Sequence, residues 1–344
     1  MERIVELLKT RDKFVIAGHI GPDGDAIGSC LGLAMAFGKL GKEAVVVLET
    51  AAAKYRNIPG REYLYHGALE ALFVDVFIAM DCADAERLGA ARALFDKAVT
   101  TVCIDHHETN PGFAEYNFID PNASSTAEMV LGIIESLTDI DADIATAIYS
   151  GIVGDTGGFR YSSTGRSTME VAARLMETGI PFTDIYSEML LMHSFEAAKA
   201  FGLALGAAGQ AMDGRIVYTC ITREMLESVG AESSDMDSVV EYLMNTRGAE
   251  VALFLYERHT KAKDEPQACD ANSETGVNDV SPCAMPRKIK VSMRSRGLHV
   301  GQVAASLGGG GHRMAAGCTV VGTIEDVLRQ VLALLERELL SDSL

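Results

Sequence analysis

With 344 residues, 48% hydrophobic and 23% charged, the chain is long enough for two cores and has the composition of a folded protein, neither disordered nor membrane-spanning. Its net charge of −18 argues against a broad surface for long nucleic acid, which is gripped through many neutralised phosphates, but leaves room for a small anion held by local charge. Seven cysteines without a Cys-x-x-Cys pair, no apolar run of the roughly 18 residues that a spanning helix needs, and an opening, MERIVELLKTRDKF, too charged for an export signal make a reducing cytoplasm and no membrane partner the expectation.

In chain order, FVIAG (14–18) reads as a buried strand and AIGSCLGLAMAFGKLG as a helix that Gly41 closes. EAVVVL (43–48), VDVFIAM (74–80) and VTTVCI (99–104) read as further strands, giving an α/β fold on a buried parallel sheet. Asp141 or Asp143 caps a helix through IATAIYSGIVG. From about 165 to 208 the pattern is helical, and the methionines of SEMLLMHSFEAAKAFGLAL read as packing between helices. GRIVYTCIT, EVALFLYER and KIKVSMRS then read as strands of a second, smaller α/β domain that closes on a helix near 323–339. The expected organisation is a first domain over 1–185, a helical linker over 186–208 and a second domain over 209–344. The second domain is interrupted at about 259–288 by a polar stretch read as an expendable surface loop. Cys103 and Cys220 lie inside apolar runs and read as buried structural thiols.

The chemistry gathers where strands end. His19, Asp23 and Asp25 occupy the glycine-rich turn GHIGPDGDAIGS after the first strand, at the carboxyl edge where parallel sheets bind ligands. VDVFIAM ends in Asp81, and VTTVCI ends in Asp105, His106 and His107. One such acid would read as a helix cap, but three strand ends carrying acids or His do not. Asp155 ends a helical run and adds a fifth carboxylate, and five carboxylates brought together repel one another unless cations sit between them. Oxygen mixed with imidazole nitrogen suits Mn²⁺, with Mg²⁺ or Co²⁺ able to substitute, and a pair of such ions suits phosphoryl chemistry.

Further on, SLGGGGHRMAAGC places four glycines, 308–311, before His312. So bare a backbone lets a phosphate approach main-chain N–H groups, above all if a helix begins after the glycines, whereas the plain alternative is a flexible loop. Arg294 and Arg296 in the preceding strand region favour the anion site.

Taken in order, HIGPDGDAIGS, AMDCAD, IDHH, GDTGGF and GGGGH resemble the signature motifs of the DHH phosphoesterase superfamily with its DHH-associated C-terminal domain, over almost the whole chain apart from 259–288. Within it the chain looks like the two-domain branch of nanoRNases and adenosine 3′,5′-bisphosphate phosphatases. The resemblance implies an N-terminal parallel-sheet DHH domain, a smaller second α/β domain and an active site in the cleft between them. It implies that His19, Asp23 and Asp81 hold one divalent ion and that Asp25, Asp81, His106 and Asp155 hold another, Mn²⁺ being preferred. It further implies that His107 faces the reacting phosphate while Asp105 orients its neighbours, and that Arg294, Ser295, Gly309, Gly310, Gly311 and His312 contact substrate.

The implied activity is hydrolysis of short RNA to mononucleotides and of adenosine 3′,5′-bisphosphate to AMP and phosphate. The next reading is a cyclic di-AMP or linear diadenylate phosphodiesterase. RecJ-type exonucleases and inorganic pyrophosphatases of the superfamily rank lower. A catalytically silent nucleotide sensor is the alternative outside the enzymes, against which stands a complete ligand set. A homodimer is left open.

Overall fold

The computed structural model describes residues 1–49, 53–236, 238–257 and 287–341, so the polar stretch expected as a loop lies outside the described residues up to 286. The chain divides into two compact units, Met1–Met192 and His193–Leu344.

The first unit runs α1 (Glu2–Thr10), β1 (Lys13–Ala17), α2 (Gly24–Lys39), β2 (Glu43–Val47), β3 (Val76–Met80), α3 (Arg92–Phe95), β4 (Thr100–Asp105), β5 (Tyr116–Ile119), α4 (Thr126–Glu135), α5 (Ala142–Asp155), α6 (Arg166–Glu177) and α7 (Phe182–Leu190). Its five strands are all parallel, in the order β2-β1-β3-β4-β5. Alternation along each strand feeds two cores. Phe14, Ile16, Val76, Ile78, Val102 and Ile104 face α2, α4 and α5, whereas Val15, Ala17, Phe77, Ala79 and Cys103 meet Leu88 and Leu94 on the other side. The chain leaves β1 outward to β2 and returns past it to β3. Such a reversal opens a crevice at the carboxyl ends of β1 and β3. Glycine at two helix positions draws α2, α4 and α5 together beneath that crevice. A Cβ on Gly28 would lie 2.2 Å from the Ala147 carbonyl oxygen, and one on Gly151 would lie 2.6 Å from Ala127 Cβ.

The second unit runs α8 (Phe195–Gly206), β6 (Gly209–Ala211), β7 (Ile216–Ile221), α9 (Arg223–Val229), α10 (Val239–Met244), β8 (Val251–Glu257), β9 (Arg287–Ser295), α11 (Val300–Ser306), β10 (Gly310–Gly311), β11 (Ala315–Gly322) and α12 (Ile324–Ser341). Its sheet, in the order β10-β11-β9-β8-β7-β6, is mixed: β7 and β8 are parallel and the other pairs antiparallel. One face packs on α11 and α12 through Leu253, Val291 and Leu335, the other on α8, α9 and α10 through Val217, Phe254 and Ala204. The helical segment 186–208 therefore divides, α7 closing the first unit and α8 covering the second sheet. Its methionines divide too. Met189 is buried, as packing between helices requires, but Met192 is 71% exposed. Among the described residues no helix is long and apolar enough to cross a membrane.

Candidate metal centre

The carboxyl ends of β1, β3 and β4 present His19, Asp81 and the run Asp105–His107, and the ends of α2 and α5 add Asp23, Asp25 and Asp155. Local signals fix each one. Asp23 is the N-cap of α2, its Oδ1 accepting from the N–H groups of Asp25 and Ala26 at 3.0 and 3.1 Å. The structural role foreseen for a lone acid is thus real here, and the same oxygen also lies 3.8 Å from His19 Nε2.

Asp25 is wholly buried, and α4 holds it from 101 residues away. Its two oxygens accept from Thr126 N–H at 2.6 Å and Ala127 N–H at 2.8 Å, the unpaired donors of that helix's first turn. Ser125 caps α4 by accepting from Glu128 N–H, so the pattern STAE marks the start of this helix in the sequence. Asp81, at the end of β3, takes a left-handed backbone with φ 57°, rare for any residue but glycine and best tolerated by Asp and Asn. Its Oδ1 accepts from Thr126 Oγ1 at 3.0 Å.

Both metal-facing imidazoles are anchored by the opposite nitrogen. His19 Nδ1 lies 2.9 Å from the Ile20 carbonyl oxygen, leaving Nε2 toward Asp23 and toward Asp81 Oδ2 at 3.6 Å. His106 Nδ1 lies 3.3 Å from the Ala123 carbonyl oxygen, leaving Nε2 toward Asp25, Asp81 Oδ1 and Asp155 at 4.0, 3.7 and 3.4 Å. These separations exceed hydrogen-bond length, and they leave room for a cation between the donors. Three groups of residues could each hold an ion: His19, Asp23 and Asp81; Asp25, His106 and Asp155; and Asp81, His106 and His107. Asp81 turns one oxygen to each of His19 and His106. His107 donates from Nδ1 to Asp105 Oδ1 at 2.7 Å, and Asp105 Oδ2 accepts from Asn110 Nδ2, also at 2.7 Å.

Electrostatics argue for the same occupant. Burial, and then the charges of Asp81, Asp155 and Asp23, push the Asp25 carboxyl well above its ordinary range. Burial also raises Asp155, to about 6, with His106 opposing and Asp81 and Asp23 reinforcing. For His19, burial disfavours the charged ring, but the facing carboxylates of Asp23 and Asp81 outweigh it and push the ring up to about 10. In the metal-free protein, protons on these groups stand in for cations, so the residues present fit divalent metal.

A pH dependence follows. A carboxyl raised in the folded state binds a proton that the unfolded chain has released, so the contribution of Asp155 falls as pH rises from about 4 to about 6. The raised His19 contributes stability below its unfolded value of 6.5, which is lost as pH climbs toward about 10. A metal ion must displace these protons, so saturating Mn²⁺ should raise Tm clearly at pH 8 and little at pH 5. At a hundredfold excess over Kd the gain is about 2.7 kcal/mol, or roughly 5–10 °C. Equal shifts at both pH values in differential scanning calorimetry would exclude proton displacement at this cluster.

The second unit brings the remaining candidates to one end of its sheet. Arg294 pairs with Ala315 across β9 and β11, Ser295 N–H donates to the Met314 carbonyl, and His312 lies in the turn between β10 and β11. No helix follows the glycines, contrary to the condition raised from the sequence: α11 precedes them, and Gly310 and Gly311 pair with β11. A Cβ on Gly309 would sit 2.3 Å from the Gly317 carbonyl oxygen, and one on Gly311 2.6 Å from that of Ala315, whereas Gly310 meets nothing within 4 Å. Arg296 turns its Nε and Nη2 to the Ala249 and Met244 carbonyls. Arg294 lies 3.7 Å from Glu241, and Ser295 Oγ donates to the Leu298 carbonyl at 2.5 Å.

Residues 13–152 match the DHH family, N-terminal domain, and residues 213–340 match the DHHA1 domain. The bifunctional oligoribonuclease and PAP phosphatase NrnA of Thermus thermophilus is 32% identical over 98% of this chain and 94% of its own. The chain belongs to the DHH family. A solved exopolyphosphatase-related protein from Bacteroides fragilis superposes on this DHH protein with a TM-score of 0.81 and 25% identity, over 96% of this chain and 95% of its own. The cyclic-di-AMP phosphodiesterase PdeA of Listeria monocytogenes is 29% identical over 52% of this chain and 30% of its own length. This DHH protein is a metal-dependent phosphoesterase.

Proposed function

We propose that this protein hydrolyses short oligoribonucleotides to mononucleotides and adenosine 3′,5′-bisphosphate to AMP and phosphate, in the cytoplasm, with two divalent ions of which Mn²⁺ serves best. The observation that carries the proposal is Asp81 turning one carboxylate oxygen toward His19 and the other toward His106, with a further donor set beyond each ring. His19, Asp23 and Asp81 would hold one ion, and Asp25, Asp81, His106 and Asp155 the other. Bound ions supply Lewis acidity, producing a nucleophile from water at neutral pH and stabilising charge on the phosphoryl oxygens.

The remaining work falls to the chain. Asp105 fixes the His107 ring through Nδ1, and that hydrogen bond, against the cost of burial, raises the ring above its ordinary value. His107, so held, would be the group that donates a proton to the departing ester oxygen. Asn110 and Thr126 keep Asp105 and Asp81 in position. The name of the Thermus relative supports short RNA and the bisphosphate as substrates, and the net charge of −18 supports recognition by a few local groups.

In the second unit Arg294, Ser295, the exposed backbone of Gly310 and His312 would contact substrate. Arg294→Ala should therefore raise KM for dinucleotides and the bisphosphate by about tenfold, the loss of one charge-assisted hydrogen bond, and leave a small chromogenic phosphodiester nearly unaffected. Equal losses on both kinds of substrate would remove Arg294 from these contacts. Degradation of 20-nucleotide RNA as fast as dinucleotides at physiological salt would remove the length preference. The likeness to PdeA supports a second reading, hydrolysis of cyclic di-AMP or its linear form. Phosphate release from the bisphosphate, measured beside cleavage of dinucleotides and cyclic di-AMP, separates the two.

A further inference from the structure

Arg87 lies in a short 3-10 segment, Glu86–Ala91, after β3. Its backbone is fixed on both sides: the N–H donates to Asp84 Oδ1 at 2.9 Å, and the carbonyl accepts from Ile20 N–H at 2.8 Å. Gly89, at φ 53°, permits this closeness, because a Cβ there would lie 2.4 Å from Ile20 Cγ2. The segment is thereby clamped to the turn that carries His19, and Arg87 Nη2 comes within 3.2 Å of His19 Nδ1.

That approach does not satisfy the guanidinium. The Ile20 carbonyl beside Nδ1 can only accept, which favours the proton on Nδ1 and makes that nitrogen a poor acceptor for Arg87. A cation at Nε2 selects the same tautomer. Among the described residues no carboxylate lies within 4.0 Å of the Arg87 guanidinium, although Asp23 and Asp81 stand on the other side of the same imidazole. An exposed guanidinium that has, among the described residues, no side-chain acceptor but His19 Nδ1 is therefore held by its backbone at the rim of an acidic cluster.

We propose that Arg87 is a substrate-contacting residue, its N–H groups binding a non-bridging oxygen of the phosphate that reacts at the metal centre. The inference rests on the metal-centre reading above. Once cations neutralise the aspartates, an incoming phosphate is the acceptor best matched to the planar fork of an arginine. The contact serves the reacting phosphate itself, so every substrate uses it, a small chromogenic phosphodiester included.

The competing role, orientation of His19, predicts the opposite response to metal. Arg87→Ala removes a positive charge beside a metal ligand, so a substrate contact predicts Mn²⁺ affinity equal to or tighter than wild type. An orienting contact predicts weaker Mn²⁺ binding. Calorimetric titration of the full chain with Mn²⁺, then of the Mn²⁺-loaded protein with inorganic phosphate, reads both. For Arg87→Ala we expect unchanged or tighter Mn²⁺ binding, phosphate affinity lower by about tenfold or more, and a matching loss in kcat/KM on the chromogenic phosphodiester. Millimolar guanidinium ion should restore part of that rate in Arg87→Ala and none in wild type. Arg87→Lys should fall between, keeping the charge but not the fork. Weaker Mn²⁺ binding with unchanged phosphate affinity overturns the proposal in favour of His19 orientation, and unchanged affinity for both overturns it outright. A wild-type protein that takes up no Mn²⁺ overturns the metal-centre reading together with it, whereas normal Mn²⁺ uptake with an indifferent Arg87→Ala overturns only the arginine contact.

Discussion

Chelation of divalent metal should bring phosphodiester turnover down to the level of buffer alone, and Mn²⁺ should restore it more fully than Mg²⁺ or Co²⁺. Five aspartates and three histidines meet at the ends of β1, β3, β4, α2 and α5, and burial with mutual repulsion pushes two of the carboxyls, Asp25 and Asp155, toward protonation. Protonation disarms the site, because a carboxyl that holds a proton neither binds a cation nor attracts one. The donor set mixes carboxylate oxygen with imidazole nitrogen, which suits Mn²⁺ better than a purely oxygen-seeking ion. The measurement is turnover after dialysis against chelator, with each metal added back and content checked by elemental analysis. Full activity in protein shown to be metal-free would end the two-ion proposal.

Asp81→Asn should cost far more activity than Asp105→Asn. Asparagine tolerates the left-handed backbone almost as well as aspartate, so the substitution tests the carboxylate and not the φ of 57°. With one oxygen toward each of His19 and His106, Asp81 would serve both ions, and its loss should lower kcat/KM by about a thousandfold or more, a barrier increase of roughly 4 kcal/mol. Asp105 touches His107 and Asn110 instead. An asparagine there can still accept from His107, but its amide would face the Asn110 amide, so a loss of about 10–100-fold is expected. Equal losses in two folded variants of equal metal content would remove the distinction between a shared ligand and a supporting one.

The strand-tip logic was legible because each of β1, β3 and β4 is a short apolar run that stops at a His or Asp, and a buried parallel strand leaves little else to read. Four strands escaped for the converse reason, β6 and β10 because they hold only three and two residues. β5, YNFI, is half-exposed at the sheet edge and too short to show a pattern, and β11, AAGCTVVG, is built of small residues that mimic a loop. The support of Asp25 by α4 was out of reach, since nothing local joins residues 101 positions apart, even though the capping pattern of α4 stood in plain view. Arg296 misled because charge beside a glycine run suggests an anion, whereas its geometry serves two backbone carbonyls at the edge of α10.

The packing of the glycine run sets how substitution data at this end of the second unit should be interpreted. In a saturation scan, positions 309 and 311 would be intolerant whether or not any phosphate ever arrives, because every side chain there collides with the backbone around β11. Position 308, at φ 75°, would be penalised for its backbone alone. Only Gly310 has open space, so its tolerance profile, compared between selection for folding and selection for nucleotide turnover, carries information about a ligand. Four identical letters in a row thus hold three structural constraints and one functional reporter.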